Sequence, residues 1–528
     1  GLITTNSLTM IFNRRVIEAH QTATPPLSLA YAVPDHPWVD SADGAAVRIS
    51  MSVGVRGTGE GKLQTVTQER EADNGEVAVE LLTRQGVIHA DLKVGANVAS
   101  TVKLRANAGL SSMGMMRAGK GFEVADEATA RKLGLGRIPG LTQRLRPFRN
   151  GKDLTGSPRG YWLIDLFGLS EAEVRSQFPE VYQWVLERVK PERDLNRRPR
   201  LREQWWVFGE PRQGLRAALK GLPRYIATVE TAKHRVFTFL DASILPDHAL
   251  IAIASDDALS LGVLSSKVHG QWALAAGGRL GVGNDPRYNK SRCFEPFPFP
   301  ELDPAGSLAD RIRTLAEQID AHRKTQLAAH PDVTITATYN VLEKLRSGEA
   351  LTPKEKVVHE HGLVGVLKSL HDELDAAVLQ AYGWADLTLP ADTDTLLLRL
   401  VELNAKRAAE EAAGTVRWLR PEFQQAGQGE QAALETGAED EGEEETTDVK
   451  PTQAAVVQRP WPTGLTEQIK AVAEVLASAG RSLDLEGLAG HFNARGRWRD
   501  RLPTLLDTLV ALGRARVVDG GRWVDAGV

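Results

Sequence analysis

Apolar and polar positions alternate along the first hundred residues, scatter through the next two hundred, and settle into a helical period after Pro300. Asn6 or Ser7 can cap a first helix running through Asn13–Ile17. Leu27–Val33 and Ala45–Val53 then read as strands, separated by Pro34–Val39 and a turn ending at Gly44. From Val102 to Pro300 no long helical stripe occurs. Aromatics, arginines, glycines and short β-branched runs, with a strand-like Gly160–Asp165, predict an irregular α/β module that presents loops. Within it Trp205 and Trp206 read as core anchors, and His269 and Trp272, three apart on a helix ending near Ala276, read as packing residues. Beyond Pro300, Leu308, Ile312, Leu315 and Ile319 predict a helix opened by a capping box at Ser307–Asp310. A second helix carries Leu363, Leu367, Leu370, Leu374 and Val378, and a third Leu397, Leu400, Val401 and Leu403, so this region is expected to be a bracing helical bundle. Further on, helices around Ile469, Val472 and Leu476, over Leu485–Phe492, and around Leu502, Leu505, Leu506, Leu509 and Leu512 lead into the hairpin Ala515–Val518, Asp519–Gly521, Arg522–Val524. Three helices and a hairpin form a winged-helix pattern.

Composition bounds the class. The chain has 528 residues, 42% of them apolar, enough for several cored domains. A single cysteine, Cys293, rules out an intramolecular disulfide and fits a reducing compartment. No apolar run approaches the ~20 residues of a membrane span and no signal peptide is visible, so no membrane partner and a cytoplasmic location are expected. Net charge is −4, yet Glu435–Asp448 alone holds eight acids and no base; setting those aside leaves +4. The stretch Gln424–Gln458 lacks aromatics and should be a flexible linker.

That masked basic charge is concentrated. Lys190, Arg193, Arg197, Arg198, Arg200 and Arg202 crowd one segment, followed by Arg212, Arg216, Lys220, Arg224, Lys233 and Arg235. Next to the tryptophans, phosphate contact is the better reading than a solvated face. Arg279, Arg287, Tyr288 and Asn289, just before Lys290, share a polar loop; arginine pairs with guanine and asparagine with adenine in the major groove, so this loop is expected to read bases. The glycine-rich Asn107–Gly114 and Arg117–Phe122 could cradle phosphate or simply turn. Gly278–Gly283 departs from the G-x-G-x-x-G spacing and carries no nucleotide site. His359, His361 and His371 lack zinc-helix spacing and read as surface histidines, so no metal is expected. Arg495, Arg497, Arg499 and Arg501 open the last helix and suit duplex contact or protein docking.

The segments Gly262–Ser266, His269, Trp272, Gly278–Gly281, Arg287–Asn289 and Phe297–Pro300 together resemble the target-recognition domain of fused adenine-specific DNA methyltransferases, the MmeI-like enzymes and their phage-defence (DISARM-type) relatives. GLITTNSL at residues 1–8 is similar to the strand that follows the catalytic loop in that class I methyltransferase family. Tyr339–Leu345, Leu370–Ala376 and Trp418–Glu422 resemble its helical region. The resemblance implies an α/β architecture: the end of a methyltransferase sheet at 1–100, a DNA target-recognition domain at 101–302, a helical bracing region at 303–423, an acidic linker at 424–459 and a winged-helix-like domain at 460–528. It further implies methyl transfer from S-adenosylmethionine to the exocyclic amine of adenine, double-stranded DNA as partner, and other restriction or defence proteins as further partners. Neither a Phe-x-Gly-x-Gly loop nor an Asn-Pro-Pro-Tyr/Phe loop occurs in the chain. Catalytic and donor-binding residues are therefore expected upstream, with this chain as the C-terminal part. The DNA-contacting set is expected to be Arg197, Arg198, Arg200, Arg202, Lys233, Arg235, Lys267, Arg279, Arg287, Tyr288, Asn289 and Lys290. Two other readings stay open: a DNA-specificity subunit without chemistry, and a scaffold that recruits a defence partner through the winged helix.

Overall fold

The computed structural model describes residues 1–9, 11–38, 47–71, 77–280 and 285–425, and in the C-terminal part 459–462, 468, 471–476, 485–489, 491–493, 501–511, 514–518 and 522–525. Residues 1–437 form one compact unit and 438–528 a second. No described helix is long and apolar enough to cross a membrane.

The N-terminal alternation becomes a five-stranded sheet of β1 (Leu2–Thr5), β2 (Leu27–Trp38), β3 (Val47–Arg56), β4 (Gly61–Glu71) and β5 (Val77–Gly86), in the order β1-β3-β2-β4-β5. All neighbours are antiparallel except β2 and β4. Pro34 and Pro37, expected to break the strand, lie inside β2, where the register against β3 shifts between Val33 and His36. A bulge absorbs what a regular ladder could not. The helix Ile11–Gln21 packs Ile17 against Leu29, Ala32 and Leu63.

Ten short strands follow: β6 (Ser111–Met113), β7 (Glu123–Val124), β8 (Leu145–Arg149), β9 (Trp162–Ile164), β10 (Arg224–Val229), β11 (Phe237–Asp241), β12 (Leu245–Pro246), β13 (Leu250–Ile253), β14 (Gly278–Leu280) and β15 (Asp285–Arg287). They build two four-stranded sheets, β11-β10-β13-β6 and β12-β8-β9-β7, and the hairpin β14-β15. The first of these is covered on both faces. Along β10 and β13, Tyr225, Ala227, Leu250 and Ala252 face one core while Ile226, Ile251 and Ile253 face another. Burial on both sides is why these strands read as unbroken apolar runs rather than alternating ones.

The helical region comprises Ser307–Ala329, Ile335–Ser347, Pro353–His361, Val364–Ala381 and Thr393–Ala412. Its core holds Ile312, Leu315, Ile319, Leu367, Leu374 and Val378 together with Trp272 and Phe297, so segments on both sides of residue 302 share one interior. Helix Ser307–Ala329 is not opened by a capping box: Gly306 takes the cap position and Ser307 is the first helical residue. Nor is His371 at the surface; it is buried, with its Nε2 2.8 Å from the Tyr339 hydroxyl. Burial, then the charges of Arg323 and Arg346, push its pKa down to about 3.

The strand-less segment 102–108 is fastened by side chains from far along the chain. Asn404 bonds the Val102 N–H and C=O, the Glu411 carboxylate accepts from the Arg105 and Ala106 N–H groups, and the Gln424 amide donates to the Ala106 and Ala108 carbonyls. Gln424, expected to open the linker, is instead buried in this body; residues 426–458, the rest of that stretch, lie outside the described residues. In the second unit, helices Leu485–Ala489 and Leu502–Ala511 and the strand pair Ala515–Val518 and Arg522–Asp525 surround Val472, Leu476, Leu506 and Leu509. Arg495, Arg497 and Arg499 lie outside the described residues, and Arg501 is exposed.

Candidate nucleic-acid interface

Two stretches that stand far apart in sequence meet at the basic segment. Met116 bridges to Glu210, and the Gly209 N–H donates to the Arg117 carbonyl at 3.3 Å. Arg193 is buried here: its guanidinium donates to the carbonyls of Arg117 at 2.7 Å and Val207 at 3.2 Å and lies over the Phe122 ring. Burial lowers its pKa, and it acts as a staple rather than a surface charge. The turn Arg117–Gly121 holds Ala118 at φ +53 and Gly119 at φ +145. At Gly209 a Cβ would come within 2.6 Å of the Ala118 Cβ, so this crossing requires glycine. A Cβ on Gly119 would lie 3.0 Å from the Glu192 carboxylate, and that neighbouring negative charge favours plain turn chemistry over a phosphate cradle.

The staple presents the short helix Pro199–Glu203 and its approach. Arg197, Arg198, Arg200 and Arg202 are all exposed. Arg202 donates to the carbonyls of Asn196 at 2.7 Å and Arg197 at 3.2 Å, and Arg200 to that of Gly209, which shapes the loop. The guanidinium groups of Arg197 and Arg198 have no side-chain partner among the described residues. Trp205 is buried and Trp206 packs beside it, 6.0 Å between ring centroids, with its N–H on the Leu169 carbonyl; both are anchors beneath this surface.

The rest of the expected set lies elsewhere. Gly278–Leu280 and Asp285–Arg287 pair as the hairpin β14-β15 where an open polar loop was expected, while 281–284 and the Arg279 side chain lie outside the described residues. Arg287 makes its ion pair with Glu230 at 2.7 Å. Arg235 donates to the carbonyls of Val229, Glu230 and Pro286 and lies 5.0 Å over the Tyr288 ring; burial lowers its pKa. Tyr288 is buried, its hydroxyl 2.9 Å from His269 Nε2, and burial raises its pKa. His269 is pushed down to about 3 by burial and then by Arg235. Asn289 caps the following turn through Ser291, and buried Lys290 faces Glu295 at 3.4 Å. Lys267 is tied to Asp375 through its backbone N–H at 2.7 Å and its ammonium at 3.2 Å. Exposed Lys233 donates to Asn340 at 2.7 Å. Arg235, Tyr288 and Lys290 were expected to touch DNA; Arg235 and Tyr288 instead tie the hairpin segment to the body, and Lys290 is buried against Glu295.

One cluster escapes one-dimensional reading. Arg117 bonds Glu123 and reaches Asp247 at 3.4 Å, while Asp247 Oδ1 is 3.1 Å from His248 Nδ1. The hydrogen bond to Asp247 raises the His248 pKa. Nothing in the spacing of residues 117, 123 and 247 marks that meeting.

The sequence pattern of the MmeI target recognition domain matches residues 132–301. No curated protein sequence matches the chain. Among solved structures, the type IIL restriction-modification enzyme MmeI in complex with DNA is similar at 19% identity with a TM-score of 0.56, over 77% of this chain and 49% of that one. The type IIG restriction endonuclease BpuSI aligns at 11% identity with a TM-score of 0.26, over 73% of this chain and 47% of that one. The chain thus spans about half the length of the solved enzymes it aligns with. Its residues 132–301, which carry β8 to β15 and the arginine-bearing helix, are an MmeI-like target recognition region.

Proposed function

We propose that this chain supplies DNA target recognition to a restriction-modification enzyme. The observation that carries this is the match of residues 132–301 to a target recognition domain, on a body that exposes Arg197, Arg198, Arg200 and Arg202. Those four residues bind phosphate in this reading, and the hairpin with Arg279 at its first strand contributes to base readout. Residues 1–100 contain the end of a class I methyltransferase sheet. In support, β1 and β2 run parallel to one another on either side of antiparallel β3, with a helix between them, and Leu2 and Ile3 on edge strand β1 are 51% and 60% exposed. Residues 460–528 are an accessory winged helix, supported by the helices and hairpin around Leu506.

The whole enzyme would methylate the exocyclic amine of adenine with S-adenosylmethionine, serving restriction or phage defence. The donor-binding and adenine-gripping loops that this chemistry needs do not occur among the 528 residues, so no residue here is assigned to the methyl donor or to a catalytic step. The test has two parts. Duplex binding by the 528-residue chain should weaken linearly on a log–log plot as salt rises; calorimetry showing no duplex binding at low salt would remove the recognition role. Methylation-sensitive sequencing of DNA from cells carrying the full gene should reveal methylated adenine at one sequence, and unmodified adenine throughout would remove the methyl-transfer reading alone.

A further inference from the structure

At the far end of the helical region two helices finish side by side. His330 caps Ser307–Ala329, and His361 is the last residue of Pro353–His361. Asp332 sits in the turn just after the first, where the Val333 N–H returns to the His330 carbonyl at 2.9 Å. The two imidazoles stack with centroids 4.2 Å apart and an interplanar angle of 17°. Asp332 Oδ2 lies 3.3 Å from His361 Nδ1. One donor atom from each of the three residues falls within 4.8 Å of the other two, the one such group of histidine, cysteine and acid donors among the described residues.

We propose that His330, Asp332 and His361 bind a divalent transition-metal ion, Zn2+ foremost. Two imidazole nitrogens and a carboxylate oxygen are a borderline donor set that suits zinc and its neighbours and not Ca2+ or Mg2+, which require oxygen. A tetrahedral ion with bonds of ~2.0–2.1 Å has donors ~3.4 Å apart, close to the His361–Asp332 separation of 3.3 Å, and the His330 donor lies within 4.8 Å of both. The local field also favours a cation. Both helices end here, so the partial negative charge of two helix C-termini adds to the Asp332 carboxylate. A separate contact fixes the geometry: His322 Nε2 is 3.0 Å from the Gly362 carbonyl, fastening the end of one helix to the flank of the other. The bound ion joins the ends of two helices, with water at the remaining position, and so serves as a structural clasp for the bundle. This site is independent of the DNA-recognition reading.

The test uses the whole 528-residue chain after chelator treatment. Titration with Co2+, followed by its visible ligand-field bands, and with Zn2+ by calorimetry should show uptake of one equivalent. His330→Ala, Asp332→Asn and His361→Gln should each lose it, while His20→Ala, on the exposed face of the first helix, should retain it. Zn2+ should raise the melting temperature of the wild type and leave that of His361→Gln unchanged. No stoichiometric uptake by the wild type, or uptake undiminished in both His330→Ala and His361→Gln, would overturn the proposal.

Discussion

The hairpin β14-β15 and the short helix Pro199–Glu203 both belong to arginine-rich stretches, and the fold treats them oppositely. Around the hairpin, Arg235 and Arg287 turn inward onto three backbone carbonyls and Glu230. On the helix and its approach, Arg197 and Arg198 point into solvent, held there because a different arginine, Arg193, has been buried to close the loop beneath them. A basic sequence is therefore not a basic surface. Guanidinium groups suit both tasks, since five fixed donors satisfy clustered carbonyls as readily as they grip a phosphate.

The sharpest way to break this contrast is Arg235→Ala. Removing it leaves the carbonyls of Val229, Glu230 and Pro286 without their donor, at a cost of about 3 kcal/mol. The expected result in denaturant is a lower unfolding midpoint with an unchanged slope, and duplex affinity of the folded fraction equal to wild type. A stability loss under about 1 kcal/mol joined to a selective loss of DNA binding would make Arg235 a contact residue after all.

An effect smaller for each histidine taken singly probes the ring cluster behind the hairpin. His269 and the distant His371 are both held near a pKa of about 3 by burial, far below the ordinary histidine value of ~6.5. Between those values the unfolded chain takes up the proton and the folded chain does not. Stability is therefore complete above pH ~6.5 and falls as pH drops toward 3, by about 2 kcal/mol per histidine at pH 5. Unfolding free energy measured from pH 7.5 to 5 should fall accordingly, and replacing His371 with glutamine should remove about half of that slope. A flat profile would mean that these rings are hydrated.

The smallest structural effect is expected on the helix. Arg198→Ala and Arg202→Ala should each shift stability by no more than about 0.5 kcal/mol, as exposed positions do. Each should nevertheless lower the salt dependence of duplex binding by roughly 0.9 in log–log slope, the share of a single neutralised phosphate. Slopes that match wild type in both variants would place the phosphate track elsewhere.

Sequence reading goes furthest where burial follows a period. Ile312, Leu315 and Ile319, and Trp272 beside them, take their places from helical spacing. His371 is equally legible in principle, because it lies on the same stripe as Leu367, Leu374 and Val378, although its residue type suggests the surface. The capping boxes divide similarly. Ser170 with Glu173 and Thr352 with Glu355 form them, whereas Ser307 does not, because Gly306 already supplies the extended cap conformation. Which arginines are exposed cannot be read at all. The partners of Arg193 and Arg235 are backbone carbonyls, which every residue offers, so no residue type marks their positions. The meeting of Arg117 with Asp247 is hidden for a different reason: it is set by strand pairing across the body, not by spacing along the chain.

The clamp formed by Asn404, Glu411 and Gln424 on residues 102–108 bears on how such a region could be exchanged between relatives. Cut at 302, a recognition cassette would leave behind the side chains that stand in for a neighbouring strand, and the Arg105 and Ala106 N–H groups would lose their acceptor. A working graft has to travel with its far end. Either the donor's helices through Gln424 come along, or the host must present asparagine, glutamate and glutamine at equivalent places. The segment that folds as one unit is thus longer than residues 132–301.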